Sequence, residues 1–478
     1  MLKKSALDAI EKQKKLFTEL SDKIWEYAEL SLKEFKSTEE YVKILGELGF
    51  EVERNVAGIK TAFSGKFGKG RPVIGILGEF DALSGLSQVG GIAEKVEVSK
   101  GGSGHGCGHN MLGAGALAAA YGVKKYLEES GHEGTVIFYG TPGEEGGAGK
   151  AFMAKEGIWY DLDCALTWHP SDANEITTGT CNSCIQTLYK FKGVASHAAG
   201  DPENGRSALD AVELMNVGVQ YLREHMKTDA RIHYSIIDGG GFSPNVVQPT
   251  ASVLYMVRSK LVKDALLLQE RVDKIADGAA LMTETTYEKV FIDGCSNTVP
   301  NHTLEKLLYD NMKEIGAPEY TEEEWEYAKA LRKTYTPYSL PTQAAEYDPV
   351  AKSEVEKLTE GNTKALCDFI APYYSGEAFG PGSTDVGDVS WQTPAAQCHT
   401  VCFAAGSPGH SWQNVSTGKS SIGHKGLIFA AKTIAAAAID LFENPEYIKE
   451  AKREFEIAAK GGYFSPIPDG EYAKPVEL

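Results

Sequence analysis

Apolar residues recur every three to four positions across residues 6–48, the spacing of amphipathic helix, with breaks near Ser31 and at Gly49. Residues 52–67 read as a short antiparallel pair closed by a glycine turn. Residues 72–77, Pro-Val-Ile-Gly-Ile-Leu, form a continuous apolar run that predicts a core strand ending at Glu79-Phe80-Asp81. A glycine-rich stretch over 101–108 precedes a helix predicted over 111–129, rich in Ala, Leu and Lys. Strand, loop and helix then alternate, with strands at 135–139 and 163–167, as far as His169. That alternation is the signature of a parallel sheet with crossover helices, an α/β fold.

The period changes after Cys184. Residues 185–192 alternate apolar with polar, as a half-exposed strand does. A helix over 208–224, strands over 231–238 and 251–258, a helix over 264–281 and a strand over 287–291 complete a β-α-β-β-α-β order. This is the order of a ferredoxin-like α+β module, here inserted into the larger domain because α/β character resumes afterwards. The expected division is a first part of the main domain at 1–184, the module at 185–295 and a second part at 296–478. Residues 322–349 are charged and proline-containing and read as a surface excursion; the Trp and Tyr residues of 322–338 are expected to pack on the main domain. A final core strand is expected over 400–405, and the Ala-rich segment 426–441, interrupted by Lys432 and Asp440, reads as a buried helix rather than a membrane span.

Composition excludes more than it identifies. The chain has 478 residues, 42% of them hydrophobic, and 48 basic against 66 acidic residues give a net charge of −18. Such a surface argues against broad contact with nucleic acid or anionic membrane. The first residues carry no apolar signal-peptide core, and the eight cysteines are scattered without a disulfide framework, which together point to the cytoplasm.

Three motifs follow the predicted strands: Gly104-His105-Gly106-Cys107-Gly108-His109, Gly143-Glu144-Glu145-Gly146 and Trp168-His169-Pro170. In open α/β sheets ligands gather outside the carboxyl ends of the strands. Cys107 and His109, two apart, would face different sides of a helix, so both can reach one ion only from a loop, which the glycines supply. Adjacent Glu144 and Glu145 repel unless a cation or a proton separates them, which suggests one metal ligand and one general base. Each motif alone has a bland reading: a flexible glycine turn, a solvated acidic turn, a satisfied core histidine. Their arrival on successive strand ends, with His410 as a fourth, favours a hydrolytic metal site. The glycine runs lack the Gly-Lys-Ser/Thr of a phosphate loop.

The chain resembles the dinuclear metallo-amidohydrolases that include aminoacylases, carboxypeptidase G and auxin-conjugate hydrolases, and within them the aminobenzoyl-glutamate hydrolase B-subunit group. The resemblance runs almost end to end. It rests on residues 78–88, His105-Gly106-Cys107-Gly108-His109-Asn110, residues 141–146, Ser196-His197-Ala198-Ala199, residues 383–390 and Gly409-His410-Ser411-Trp412-Gln413. It implies a zinc-peptidase-like mixed sheet flanked by helices, the inserted module serving as lid and dimerisation domain. It further implies two divalent ions, manganese or zinc, with Cys107 bridging, His109 and His169 on one ion, and Glu145 and His410 on the other. Glu144 would be the general base and Asp81 would orient a ligand. His197 and Asn245 would reach the neighbouring subunit's site and steady the oxyanion, and Arg258 would grip the substrate's free carboxylate.

The implied reaction is cleavage of an N-acyl or N-aroyl amino acid, p-aminobenzoyl-glutamate first. A dipeptidase, a general N-acyl amino acid hydrolase and a non-catalytic subunit are the alternatives. The implied partners are a small-molecule substrate and a second copy, or a related subunit, with no nucleic acid and no membrane. Auxin-conjugate hydrolases usually carry Asp where this chain has Asn110, and the Asn is shared with the aminobenzoyl-glutamate group. His424 is a weaker alternative for the last ligand. Cys181 and Cys184 have redox spacing without a helix start. His132, His225, His233, His302 and His399 have no partner motif.

Overall fold

The computed structural model describes residues 1–337 and 340–475. Along the chain run β1 (Glu51–Arg54), β2 (Phe63–Lys69), β3 (Val73–Gly78), β4 (Gly134–Gly140), β5 (Cys164–Ser171), β6 (Glu175–Ile176) and β7 (Thr180–Cys181). β8 (Ser183–Lys192), β9 (Arg231–Asp238), β10 (Thr250–Ser259), β11 (Thr286–Cys295), β12 (Phe379–Gly380) and β13 (Ala395–Val401) follow. The larger sheet has the order β1-β2-β4-β3-β5-β13-β6. Its middle strands β4, β3, β5 and β13 are mutually parallel, while β2 and β6 join antiparallel on either side.

β3 is apolar on both faces, as a strand covered by helices on both sides must be. Ile74 and Ile76 point into one core with the helices Leu2–Lys12, His109–Ser130, His302–Ile315 and Ser421–Glu443. Leu77 and Ala165 point into the other, with Ala151, Phe152 and Trp159. The helix Ser421–Glu443 is buried along most of its length, and Lys432 and Asp440, which interrupt its apolar run, are both partnered. Lys432 Nζ lies 2.6 Å from Glu11 Oε2, and Asp440 accepts from Lys3 Nζ and Asn311 Nδ2, each at 2.8 Å. Among the described residues no helix is long and apolar enough to cross a membrane.

The second sheet has the order β11-β8-β10-β9, antiparallel throughout. Helices Ala208–Leu222 and Val262–Thr283 cover one face, against Tyr189, Phe191, Val253, Tyr255 and Val257. On β10 the alternate residues Leu254, Met256 and Arg258 lie on the opposite, half-open face. Order and connection are those of the ferredoxin-like module.

Some boundaries differ from the sequence reading. β5 continues through Ser171, so His169 lies within the strand, opposite His399 of β13. β13 itself is Ala395–Val401, five residues earlier than expected. The polar Gln397 and His399 disguise it, while the amides of Cys402 and Phe403 turn to the Ser171 carbonyl and leave the ladder. The 322–349 excursion contains the helix Glu322–Arg332, opened by a capping box between Thr321 and Glu324. Ala328 and Leu331 are buried there, and the Tyr335 hydroxyl donates to the Ala405 carbonyl at 3.1 Å. Tyr338, part of the aromatic expectation, lies outside the described residues.

Candidate metal centre

The carboxyl ends of β3 and β4, the last turn of β5 and the loop after β13 meet at one edge of the larger sheet. The loop before the long helix supplies Cys107, and His109 is the first helical residue, two positions earlier than expected. Gly108 makes this start possible by taking φ +81°, a left-handed conformation that any side chain would strain. Gly106 is needed for a different reason. A Cβ there would come within 3.2 Å of the His410 Cα, so only glycine lets the two loops touch. His410 itself holds φ +50°, an uncommon conformation for a non-glycine residue.

Among the described residues three sets of ligand atoms lie within 4.8 Å of one another: Cys107, His109 and His169; Cys107, Glu145 and His410; Glu79, His109 and Glu144. Cys107 is common to the first two. Its Sγ lies 3.4 Å from His169 Nε2, and Glu145 Oε2 lies 3.6 Å from His410 Nε2. The orientation of each imidazole is determined by its other nitrogen. His169 Nδ1 faces the Pro170 carbonyl at 2.8 Å, which can only accept, so Nε2 carries the lone pair. His109 Nδ1 faces Asp81 Oδ1 at 3.0 Å, which directs its Nε2 into the centre. Asp81 is fixed in turn, its Oδ2 accepting from Ser31 Oγ at 2.7 Å and from the Glu145 amide at 2.9 Å.

Electrostatics set these groups against one another. Burial pushes the Cys107 thiol up to about 12, with Glu145 adding to it. Burial, then Glu79 and Glu145, push Glu144 well above the carboxylate range. Burial would raise Asp81 as well, but His109 and the hydrogen bonds hold it at about 2. Burial, then His109, lower His169 to about 4. Buried without a hydrogen-bond partner are Glu79 Oε2, His109 Nε2 and Glu145 Oε1. Such orphaned atoms are costly, and thiolate, imidazole and carboxylate converging on one another are the donor set of a divalent transition metal. The residues fit two such ions.

Behind the centre lies a charge network that sequence reasoning missed. Lys150 Nζ sits 2.5 Å from Asp385 Oδ1 and 2.8 Å from Glu79 Oε1, all three side chains buried. Burial opposes the Lys150 charge, but Asp385 and Glu79 outweigh it and hold the ammonium protonated. One signal was available. Lys150 is a lone charge in the otherwise small and apolar run Gly149–Met153, and a buried lysine is almost always paired.

The other expected residues lie elsewhere. His197 is exposed on a loop, its Nδ1 accepting from the Ala199 and Gly200 amides at 3.2 and 3.0 Å. Asn245 is tied to the same loop, its carbonyl accepting from the Ala198 amide at 3.0 Å. Neither belongs to the three ligand groups. Arg258 donates to Ser383 Oγ at 2.6 Å and lines a cavity of about 700 Å³ with Asn182, Arg231 and His233. His424 pairs with Asp22 at 2.9 Å instead of entering a ligand group. Cys184 faces Cys295, Sγ to Sγ 3.3 Å, with both thiols free. His399 is half-buried beside the His169 ring, 6.1 Å between centroids.

A model of peptidase family M20/M25/M40 matches residues 76–440. The chain is 47% identical over 476 residues to the B subunit of the p-aminobenzoyl-glutamate hydrolase of Escherichia coli K12, covering 98% of each chain. It is 30% identical over 334 residues to the Xaa-Arg dipeptidase of Mus musculus, covering 66% of this chain and 72% of that one. The fold matches that of a dinuclear metal-binding M20 peptidase from Bacillus subtilis, with TM-score 0.54 and 17% identity over 91% of this chain and 99% of the other. The family match spans most of the chain and the similarity at 47% identity runs from end to end, so the chain belongs to peptidase family M20/M25/M40.

Proposed function

We propose that the chain hydrolyses the amide of N-aroyl or N-acyl amino acids, p-aminobenzoyl-glutamate first among them. As a member of this peptidase family it is a metal-dependent hydrolase of amide bonds. The convergence of buried, unpartnered Glu79 Oε2, His109 Nε2 and Glu145 Oε1 carries the reading of the site, and the 47% identity to the Escherichia coli hydrolase chain supports the substrate.

In this reading Cys107, His109 and His169 would hold one divalent ion, and Cys107, Glu145 and His410 a second. Manganese and zinc both suit such donors. When bound, the ions polarise the scissile carbonyl and lower the pKa of water. Glu144 takes the proton of the attacking water and delivers it to the leaving amine, a shuttle suited to a carboxyl whose pKa is raised by burial. Asp81 keeps His109 in the ligating tautomer. Arg258 binds the free carboxylate of the amino-acid half.

His197 and Asn245 serve the site of a second copy, docked through the lid. Exposed apolar side chains on the edge strand β9, Tyr234 and Ile236, and on the helix Ala208–Leu222, Leu214, Val217 and Tyr221, support this. The Escherichia coli relative is one of two kinds of subunit, which favours a second reading in which the partner is a related chain. The eight cysteines are free thiols, which suits a reducing cytoplasm.

The test is a substrate panel at equal metal loading: p-aminobenzoyl-glutamate, other acyl amino acids, and dipeptides including those ending in arginine. The highest kcat/KM should fall on p-aminobenzoyl-glutamate; a clear preference for dipeptides would overturn the assignment.

A further inference from the structure

The smaller sheet sets two arginines side by side. Arg231 on β9 and Arg258 on β10 are directly opposed across the ladder. Their neighbours Ile232 and Val257 point into the helix-covered core, which turns both arginines to the open face. Cross-strand partners stand about 4.5–5.5 Å apart at Cα, and like charges so placed repel. Among the described residues neither arginine has a carboxylate within ion-pair reach. Arg258 gives Nη1 to Ser383 Oγ at 2.6 Å. Arg231 Nη1 donates to the Thr228 and Ala230 carbonyls at 2.9 and 2.7 Å. Those two bonds fix the Arg231 guanidinium and leave its Nε–Nη2 edge unused. That edge presents two parallel N–H groups, the geometry that grips a carboxylate with two bonds.

Both arginines line the cavity of about 700 Å³, together with His233, Asn182 and Gly382. Asp229 is the carboxylate among its lining residues, and it pairs with neither arginine. Positive charge dominates there: burial, then Arg258, Arg223 and Arg231, hold the His233 imidazole below its usual pKa. Ser383, which Arg258 holds, stands two residues before Asp385, the partner of Lys150 behind the metal centre. One loop therefore joins the cavity to the centre. The reading above gives the substrate one free carboxylate, for Arg258. A second arginine opposite it, without an acid of its own, suits a substrate with a second carboxylate. The two carboxyl carbons of an extended glutamate are about 5 Å apart, four bonds of about 1.5 Å, close to the spacing of the opposed strands. We propose that Arg231 binds the side-chain carboxylate of the amino-acid half, and so selects amides of dicarboxylic amino acids over those of neutral ones. The inference rests on the hydrolase reading and on the place of Arg258 in it, and adds to them the residue that reads the side chain.

Paired substrates test this: p-aminobenzoyl-glutamate and p-aminobenzoyl-glutamine, which differ by one charge at nearly constant shape. Metal-loaded wild type should favour the glutamate by about 10–100-fold in kcat/KM, the range for one charge-assisted hydrogen bond. Arg231→Met should bring the two substrates close to parity, chiefly by raising KM for the glutamate. Arg231→Lys should keep part of the preference, because it retains the charge but not the two-pronged edge. Arg258→Ala should lower kcat/KM on both substrates. A purely structural role for Arg231, through its bonds to the Thr228 and Ala230 carbonyls, would instead weaken both substrates alike in Arg231→Met and leave the preference intact. That result, or a wild type that hydrolyses both without discrimination, overturns the inference alone. Wild type that hydrolyses neither substrate with two ions bound overturns the hydrolase reading, and the inference with it.

Discussion

Two regions of the molecule carry the polar residues singled out from the sequence, and they are built in opposite ways. At the edge of the larger sheet His109, Asp81 and Glu79 are buried, each side chain is oriented by a second group, and the atoms left over point at one another. On the inserted module His197 and Asn245 sit in an exposed loop pair whose bonds are local, His197 Nδ1 merely accepting from two amides of its own turn. A buried orphan is costly, and a bound cation would satisfy it. An exposed histidine incurs no such penalty, and its use depends on what docks against it. In the proposed reading the ion ligands all come from one chain, whereas His197 and Asn245 would act only in the site of a docked partner.

The sharpest way to break this comparison is at the centre. Glu144→Ala should lower turnover by about 10²–10⁴-fold, the range for a general acid–base group, while both ions stay bound by elemental analysis. Near-normal turnover would remove the proton shuttle. At the lid, His197→Ala should cost about 10²–10³-fold in kcat if it steadies an oxyanion, with metal content unchanged. Mixing His197→Ala with Glu144→Ala chains should restore activity, because each mixed dimer then holds one complete site. No recovery in dimers shown to be mixed would place His197 outside catalysis in the neighbouring subunit. A smaller effect is expected at Arg258→Ala. Loss of one charge-assisted hydrogen bond of about 1.5–3 kcal/mol should raise KM by about 10–100-fold with kcat less affected; an unchanged KM would exclude it from substrate binding.

The smallest effect sharpens the electrostatic side of the contrast. Glu175 on β6 is also a buried carboxyl, but among the described residues it accepts only the Gln343 amide, at 2.8 Å. Burial pushes it up to about 8, where Asp81, with His109 beside it, is held at about 2. Between about pH 5 and 8 the unfolded Glu175 is ionised while the folded one keeps its proton. The folded state then binds the extra proton, and stability falls as pH rises through that window. Glu175→Gln keeps the shape and cannot ionise, so its Tm should fall less with pH than that of wild type. Parallel Tm profiles would remove Glu175 from the pH response.

Much of this architecture is legible in the order of the residues. β3 and β4 are largely apolar runs, the inserted module changes to period two at Cys184, and glycines and strand ends mark Cys107, His109, Glu145, His169 and His410. What stays hidden depends on pairing across the fold. β13 is masked because Gln397 and His399 interrupt its apolar pattern where the strand passes the centre. Glu79 and Asp385 lie inside motifs that already stand out, yet their purpose becomes visible only when Lys150 arrives from another helix. The ring orientations of His109 and His169 are likewise set by Asp81 and a backbone carbonyl, contacts that no local pattern encodes.

The most direct test of the account is hydrolysis of p-aminobenzoyl-glutamate by metal-stripped protein, before and after adding back manganese or zinc, with bound metal counted at each stage. The account predicts no turnover without metal and recovery as two ions per chain are taken up. Full turnover by protein shown to be metal-free, or two ions bound with no hydrolysis of this or any other acyl amino acid, would contradict it.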